Sequence, residues 1–280
     1  MHQIERGAGP KLLLVHGLGG SWQSWLPILD RLSASRTVVA IDLPGHGATP
    51  AEPDSGTFNG LVGSVERYMA DNGLAGIDLV GSSMGARIVL EIARRGGVGN
   101  VVALDPGGFW RGWERHFFKA TIGASVRLLR AIRPALPMLS GNAASRTLLL
   151  AQLSARPWAL DGQTVATELT GYTVTATFDA LVNDLANGPE QSGPSAASSG
   201  RIVIGWGRHD RLCLPRQAVR AKAAFPAAEM HWFKSSGHFP AWDMPEETAA
   251  VILSAMRERI TLPLNERDDL RGLPDRLRTN

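Results

Sequence analysis

Along most of this chain, short apolar runs alternate with segments of helical periodicity. Residues 11–15, 37–41, 77–80, 101–104 and 201–206 are nearly continuous in apolar side chains, the pattern of strands buried on both faces. A sixth run, 228–232, alternates Glu229 and His231 with Met230 and Trp232 and predicts an edge strand. Helical spacing falls between them, over 24–33, 59–72, 84–96, 215–224 and 245–260. Pro215 and Pro245 stand at first-turn positions, and Gly96-Gly97 closes the third helix. The alternation predicts an α/β fold: a mostly parallel central sheet with helices on both faces. There are no internal repeats.

The pattern breaks over residues 107–194. Trp110, Trp113, Phe117, Leu128, Leu129 and Ile132 keep helical spacing, interrupted by Pro134, Pro137 and Pro157. The stretch from Gln191 to Gly200 has the composition of a flexible linker. The expected organisation is therefore a core formed by 1–106 and 195–260, a helical lid inserted at 107–194, and a charged tail at 261–280. Charge divides the lid in two. Arg111, Arg115, Lys119, Arg127, Arg130, Arg133, Arg146 and Arg156 crowd its first half, and Asp161, Glu168, Asp179, Asp184 and Glu190 its second. Two mutually attracting solvated faces account for this. The competing expectation is a membrane-surface contact in which Trp110, Trp113, Phe117 and Phe118 interleave with the basic residues.

With 280 residues, 44% of them hydrophobic, the chain can bury a sizeable core. A net charge of +3 is too small a surplus to imply nucleic acid as a partner. Cys213 is the single cysteine, so an internal disulfide is impossible, and metal-ligand spacings are absent. The opening residues Met1-His2-Gln3-Ile4-Glu5-Arg6 lack the apolar core of a secretory signal, and the apolar stretches fall short of a membrane span. The expected location is cytoplasmic.

The candidate chemistry begins at Gly81-Ser82-Ser83-Met84-Gly85, between a buried strand and an amphipathic helix. A serine forced onto so sharp a turn crowds the residues two before and two after it, and glycine at both places removes the clashes. The turn would present the Ser83 hydroxyl at a helix N-terminus, whose partial positive charge favours a developing anion. Such a hydroxyl needs a base and an orienting acid. Asp210, in Gly207-Arg208-His209-Asp210, and His238, in Ser236-Gly237-His238-Phe239, both follow later strands, where sites in open α/β sheets form.

With the chain order Ser83, Asp210, His238, the sequence resembles the α/β-hydrolase superfamily of the serine-nucleophile, helical-lid type, from Lys11 to about Ile260 outside the insertion. The stretch Val15-His16-Gly17-Leu18-Gly19-Gly20 is similar to that superfamily's oxyanion loop. The resemblance implies that the backbone amides of Leu18 and Met84 hold the oxyanion. It implies acyl transfer with Ser83, His238 and Asp210 as a triad and with no metal or organic cofactor. Asp105 competes with Asp210 for the acid, because some relatives place the acid after that earlier strand. His16 and His46 read as structural, Asp243 and Glu246 as helix-capping charges, and Arg87 as a surface or salt-bridging residue.

The aromatic lid, with Trp22, Trp25 and Met84, suggests an apolar substrate pocket, for which Trp22 and Trp110 are the candidate contacts. The leading expectation is hydrolysis of a small-molecule carboxylic ester, lactone or lipid ester. A carbon–carbon bond hydrolase of ring-cleavage dienoates is an alternative using the same triad. A non-catalytic ligand-binding protein on a hydrolase scaffold is the alternative outside enzymes. Only ten residues precede Lys11, where similar hydrolases carry a longer leading strand pair. The first sheet edge is therefore expected to be truncated, or the chain to begin late.

Overall fold

The computed structural model describes residues 1–194 and 200–256. Their seven strands are β1 (Gln3–Arg6), β2 (Lys11–Val15), β3 (Thr37–Ile41), β4 (Asp78–Ser82), β5 (Val101–Leu104), β6 (Ile202–Gly207) and β7 (Glu229–Phe233). They form one sheet in the order β1-β3-β2-β4-β5-β6-β7. Every neighbouring pair is parallel except β1 with β3. The continuous apolar runs occupy the middle of the sheet, where Leu12, Leu13, Leu14, Val80 and Val102 are fully buried. A single four-residue strand, β1, precedes Lys11 in place of a longer strand pair, which agrees with the expected short first edge. Its side chains Gln3, Glu5 and Arg6 are exposed, so it carries no apolar run to betray it, and only backbone pairing to β3 defines it.

Core helices cover the sheet. Helix α1 (Leu26–Ser33) lies beside α11 (Pro245–Ala255), and α2 (Phe58–Asp71) beside α3 (Met84–Arg95). The 245–260 helix ends at Ala255 among the described residues. Met256 caps it, and residues 257–260 of the expected helix and the expected tail 261–280 lie outside the described residues. Between β5 and β6 the chain forms α4 (Trp113–Ala131), α5 (Leu136–Gly141), α6 (Ala143–Leu149), α7 (Gly162–Val174) and α8 (Phe178–Asn187). Helix α9 (Gln217–Ala224) then links β6 to β7, and the short α10 (Pro240–Asp243) precedes α11.

The two charged halves of the inserted segment face each other. Arg111 pairs with Glu190 at 2.8 Å, Arg130 with Asp179 at 2.7 Å, and Lys119 Nζ donates to Asn183 Oδ1 at 2.7 Å. Pairs this exposed contribute at most about 1 kcal/mol each. The four aromatics expected on one basic surface do not share one. Trp110 and Phe118 are buried and stacked, ring centroids 4.4 Å apart, whereas Trp113 is exposed beneath the guanidinium of Arg216. The linker expectation also needs correction at its start. Gln191 is buried, donating through Nε2 to Glu91 Oε2 at 3.0 Å, while residues 195–199 lie outside the described ones.

Candidate active site

Strand β4 ends at Ser82, and α3 begins at Met84, so a single residue makes the turn. That residue, Ser83, has φ 55° and ψ −114°, a region an L side chain rarely adopts. Its amide donates to Leu104 O at 2.9 Å, which ties the turn to β5. A methyl group on Gly81 would sit 2.3 Å from Gly85 O, and one on Gly85 would sit 2.1 Å from Val15 O. The two glycines therefore let strand, turn and helix approach one another as the sharp turn requires.

His238 Nε2 lies 2.8 Å from Ser83 Oγ, and His238 Nδ1 lies 2.8 Å from Asp210 Oδ2. With Asp210 as a carboxylate, the proton sits on Nδ1, and Nε2 is free to accept from the Ser83 hydroxyl. Asp210 Oδ1 accepts from the amides of Leu212 at 2.7 Å and Cys213 at 2.9 Å. These donors satisfy and fix the buried carboxyl group.

The His238 loop is held by the inserted segment. The His238 amide donates to Leu153 O at 2.8 Å, just beyond α6. Asp243 Oδ2 accepts from Gly237 N at 2.7 Å and Ala155 N at 2.8 Å, and Asp243 Oδ1 accepts from Ser154 Oγ at 2.5 Å. Asp243 is thus a buried tie between two loops rather than the capping charge its position before α11 suggests. Nothing in the linear sequence signals it, because Ser154 and Ala155 are 89 and 88 residues away. Glu246 is at the exposed end of the same region and pairs with Arg31.

On the other side of Ser83, the loop after β2 is set by His16. This buried ring donates from Nδ1 to Gly17 O at 2.7 Å and accepts at Nε2 from Leu43 N at 3.0 Å. Burial lowers its pKa to about 4, so the imidazole is neutral, as those two bonds require. His46 packs 5.2 Å from it, and burial lowers its pKa to about 3. Gly17 lies so close to the elbow that a methyl group there would be 3.1 Å from Ser83 Cβ. Neither the Leu18 nor the Met84 amide has an acceptor among the described residues. The Met84 amide is also among the orphan donors of the α3 N-terminus.

Two further carboxyls brace this loop. Asp42 accepts from Trp22 N at 2.8 Å and Ala48 N at 2.9 Å. Glu168, on α7, accepts from Ser24 Oγ at 2.8 Å.

A cavity opens over Ser83. Leu18, Met84 and His238 surround the hydroxyl, and Trp110, Phe118, Leu129, Leu169, Tyr172 and Phe178 line the walls. Trp110 therefore stands where the sequence places it. Trp22 does not: it is outside the lining, next to Asp42. Arg87 is also displaced from its surface reading, being 2% exposed and part of the cavity wall. Its guanidinium is already engaged, donating to Pro189 O at 2.7 Å and lying 4.2 Å over the Phe58 ring.

Asp105, the competing acid, follows β5 and is fully buried, but it accepts from Gly207 N at 2.8 Å, and Asp210 occupies His238 Nδ1. Asp210, Cys213 and His238 bring three potential metal donors within 4.8 Å of one another. The set does not suit a metal ion. Two of the three are bonded to each other, and burial pushes the Cys213 thiol well up in pKa, keeping its proton on.

A family model described as "Alpha/beta hydrolase family" matches residues 12–251. Among curated proteins, the chain is 30% identical over 254 residues to the dihydrolipoyllysine-residue acetyltransferase component of the acetoin cleaving system of Cupriavidus necator. That match covers 88% of this chain and 63% of the relative, so the chain spans less than two thirds of that protein's length. Among solved structures, it resembles the carboxylesterase CesB of Bacillus subtilis (TM-score 0.68, 17% identity, 91% of this chain and 86% of that one). It also resembles a meta-cleavage product hydrolase from Pseudomonas fluorescens (TM-score 0.68, 15% identity, 90% and 92% coverage). Likeness at these identities concerns the fold.

Proposed function

Because the chain belongs to the alpha/beta hydrolase family, we propose that it is a serine hydrolase acting on an uncharged carboxylic ester, lactone or lipid ester. The observation that carries this reading is the unbroken chain from Asp210 through His238 to Ser83, both links 2.8 Å, opening into an apolar cavity. Ser83 Oγ attacks the ester carbonyl as His238 Nε2 takes its proton, and Asp210 stabilises the imidazolium. The Leu18 and Met84 amides receive the oxyanion, and each such donor contributes roughly 100- to 1,000-fold in rate. His238 then protonates the departing alcohol. Water, deprotonated by the same ring, attacks the acyl-enzyme and releases the acid, returning Ser83 to its starting state. The side chains of this chain supply every proton transfer.

We read residues 107–194 as the lid over this site and place the protein in the cytoplasm on the sequence grounds given above. Among the described residues, no helix is long and apolar enough to cross a membrane.

Carbon–carbon hydrolysis of a ring-cleavage dienoate remains the second reading, supported by Arg87 in the cavity wall. Ester hydrolysis is preferred because a dienoate brings carboxylate charge, and the Arg87 guanidinium is already engaged by Pro189 O and Phe58. The experiment is labelling with a fluorophosphonate, followed by a panel of neutral esters of increasing chain length, a lactone and a dienoate. The expected result is rapid labelling of wild type, none of Ser83→Ala, and turnover of the neutral esters. A wild type that never labels under native conditions supports the binding-protein reading and overturns this one. Turnover of the dienoate alone overturns the ester assignment.

A further inference from the structure

Two carboxyls, not one, stand behind His238. Strands β5 and β6 are parallel neighbours with Leu104 opposite Gly205, so the residues following them emerge side by side. Asp105 follows β5 directly, its amide donating to Gly205 O at 2.9 Å. Its φ of 47° lies in the left-handed region, which few residues other than glycine adopt. Its carboxyl has the Asp210 carboxyl as a hydrogen-bonding neighbour.

The two acids differ in how they are satisfied. Asp210, 2% exposed, accepts from two amides and from His238 Nδ1, so its negative charge is well solvated by the protein. Asp105, 0% exposed, accepts at Oδ1 from Gly207 N, and its Oδ2 has no donor among the described residues. An ionised Oδ2 in that position would be a buried, unpaired charge next to another carboxylate, a strongly unfavourable arrangement. A proton on Oδ2 removes the charge and turns the orphan atom into a donor aimed at Asp210. The other titratable groups facing Asp105 offer no compensating cation: Asp243 adds negative charge, and the nearby Cys213 thiol keeps its proton.

We propose that Asp105 is held as a neutral carboxylic acid whose Oδ2–H donates to the Asp210 carboxylate, making it the positioning residue for the triad acid. The pair then carries one negative charge and one proton. Burial and the charge on Asp210 both push the Asp105 pKa well above the usual carboxylate range, in keeping with this arrangement. The bond gives Asp210 an anchor in addition to its two amide donors and His238. It also withdraws some of the charge that Asp210 presents to the imidazole. The inference rests on the reading of Asp210 and His238 as acid and base.

Asn resembles a protonated Asp, so Asp105→Asn separates the possibilities. If Asp105 is neutral, the acid limb of the kcat/KM–pH profile stays where it is in wild type. If Asp105 is an anion, its removal withdraws a negative charge near the imidazole and moves that limb down by about one unit or more, which overturns the proposal. Asp105→Leu removes the donor altogether and is expected to lower kcat about tenfold while moving KM little.

A readout independent of turnover keeps the two readings apart. At pH 9 the infrared spectrum of wild type should show the carbonyl stretch of a protonated carboxyl that is missing from Asp105→Asn. Absence of that band in wild type overturns the carboxyl pair whatever the enzyme does. Its presence in a protein that never reacts with fluorophosphonate leaves the pair standing and overturns only the hydrolase reading. Should Asp105→Asn fold poorly, the wild-type infrared band remains decisive.

Discussion

The amide of Gly237 donates to the Asp243 carboxylate at 2.7 Å, one residue before His238. The same carboxylate collects the Ser154 hydroxyl and the Ala155 amide from the inserted segment. Asp243→Ala leaves all three donors unpaired in a buried place, where each costs about 1–3 kcal/mol before relaxation or entering water softens it. We expect a loss of about 3 kcal/mol in urea-induced unfolding together with a lower kcat, as the His238 loop loses its tether. A variant with wild-type stability and wild-type kcat would show that the tether is dispensable.

Ser83 stores strain. With φ 55° and ψ −114° it occupies a region where only glycine is comfortable. Ser83→Ala keeps the side-chain penalty, and Ser83→Gly removes it. Both variants should be inactive, but Ser83→Gly should be more stable than Ser83→Ala by about 1–2 kcal/mol by chemical denaturation. Equal stability would mean the turn is relaxed.

Glu168 makes folding depend on pH. Burial raises its pKa from 4.5 to about 7, against the lowering effect of its bonds to Ser24 and Tyr172. Between pH 4.5 and 7 the folded chain therefore holds a proton that the unfolded chain has released. Stability from this group is present below that window and is lost as pH rises through it, by about 3 kcal/mol in all. Glu168→Gln cannot ionise. The stability difference between wild type and Glu168→Gln should fall across this range, and a difference that stays flat would contradict it.

Trp110 sets the reach of the cavity. It is buried in the wall and stacked on Phe118. Trp110→Leu frees space along the substrate path, so longer or bulkier esters should gain relative to short ones. Each additional buried methylene contributes about 0.8 kcal/mol, roughly fourfold in kcat/KM. Profiles of kcat/KM against chain length for the two proteins test this, and superimposable profiles would place Trp110 outside the path.

The interior strands were legible because a parallel sheet covered on both faces demands unbroken apolar runs, and β2 to β6 have them. Strand β1 was invisible because Gln3, Glu5 and Arg6 face solvent and only their backbone participates. Ser83, His238 and Asp210 could be nominated because a sharp turn needs glycines at fixed spacing and because strand ends carry their residues to a common rim. What spacing cannot carry is contact between distant loops. Asp243 looked like a helix cap, although its partners come from the far side of the insertion. Arg87 looked like a surface residue because a charge is usually exposed, whereas here α3 is buried from Met84 to Ala93 and its guanidinium finds partners inside. The proximity of Asp105 and Asp210 follows from β5 pairing with β6, and which of the two takes His238 depends on loop geometry; linear spacing encodes neither.

The strand order also sets a timetable. Ser83 directly follows β4 in the middle of the sheet, whereas Asp210 and His238 follow β6 and β7, the final two strands at one edge. During synthesis the chain emerges from its N-terminus, and parallel pairings between distant segments are slow to form. The hydroxyl is thus placed early and armed last. Under the proposed mechanism, a nascent or half-folded chain exposes Ser83 without its base, and reactivity should switch on only when the far edge of the sheet has closed.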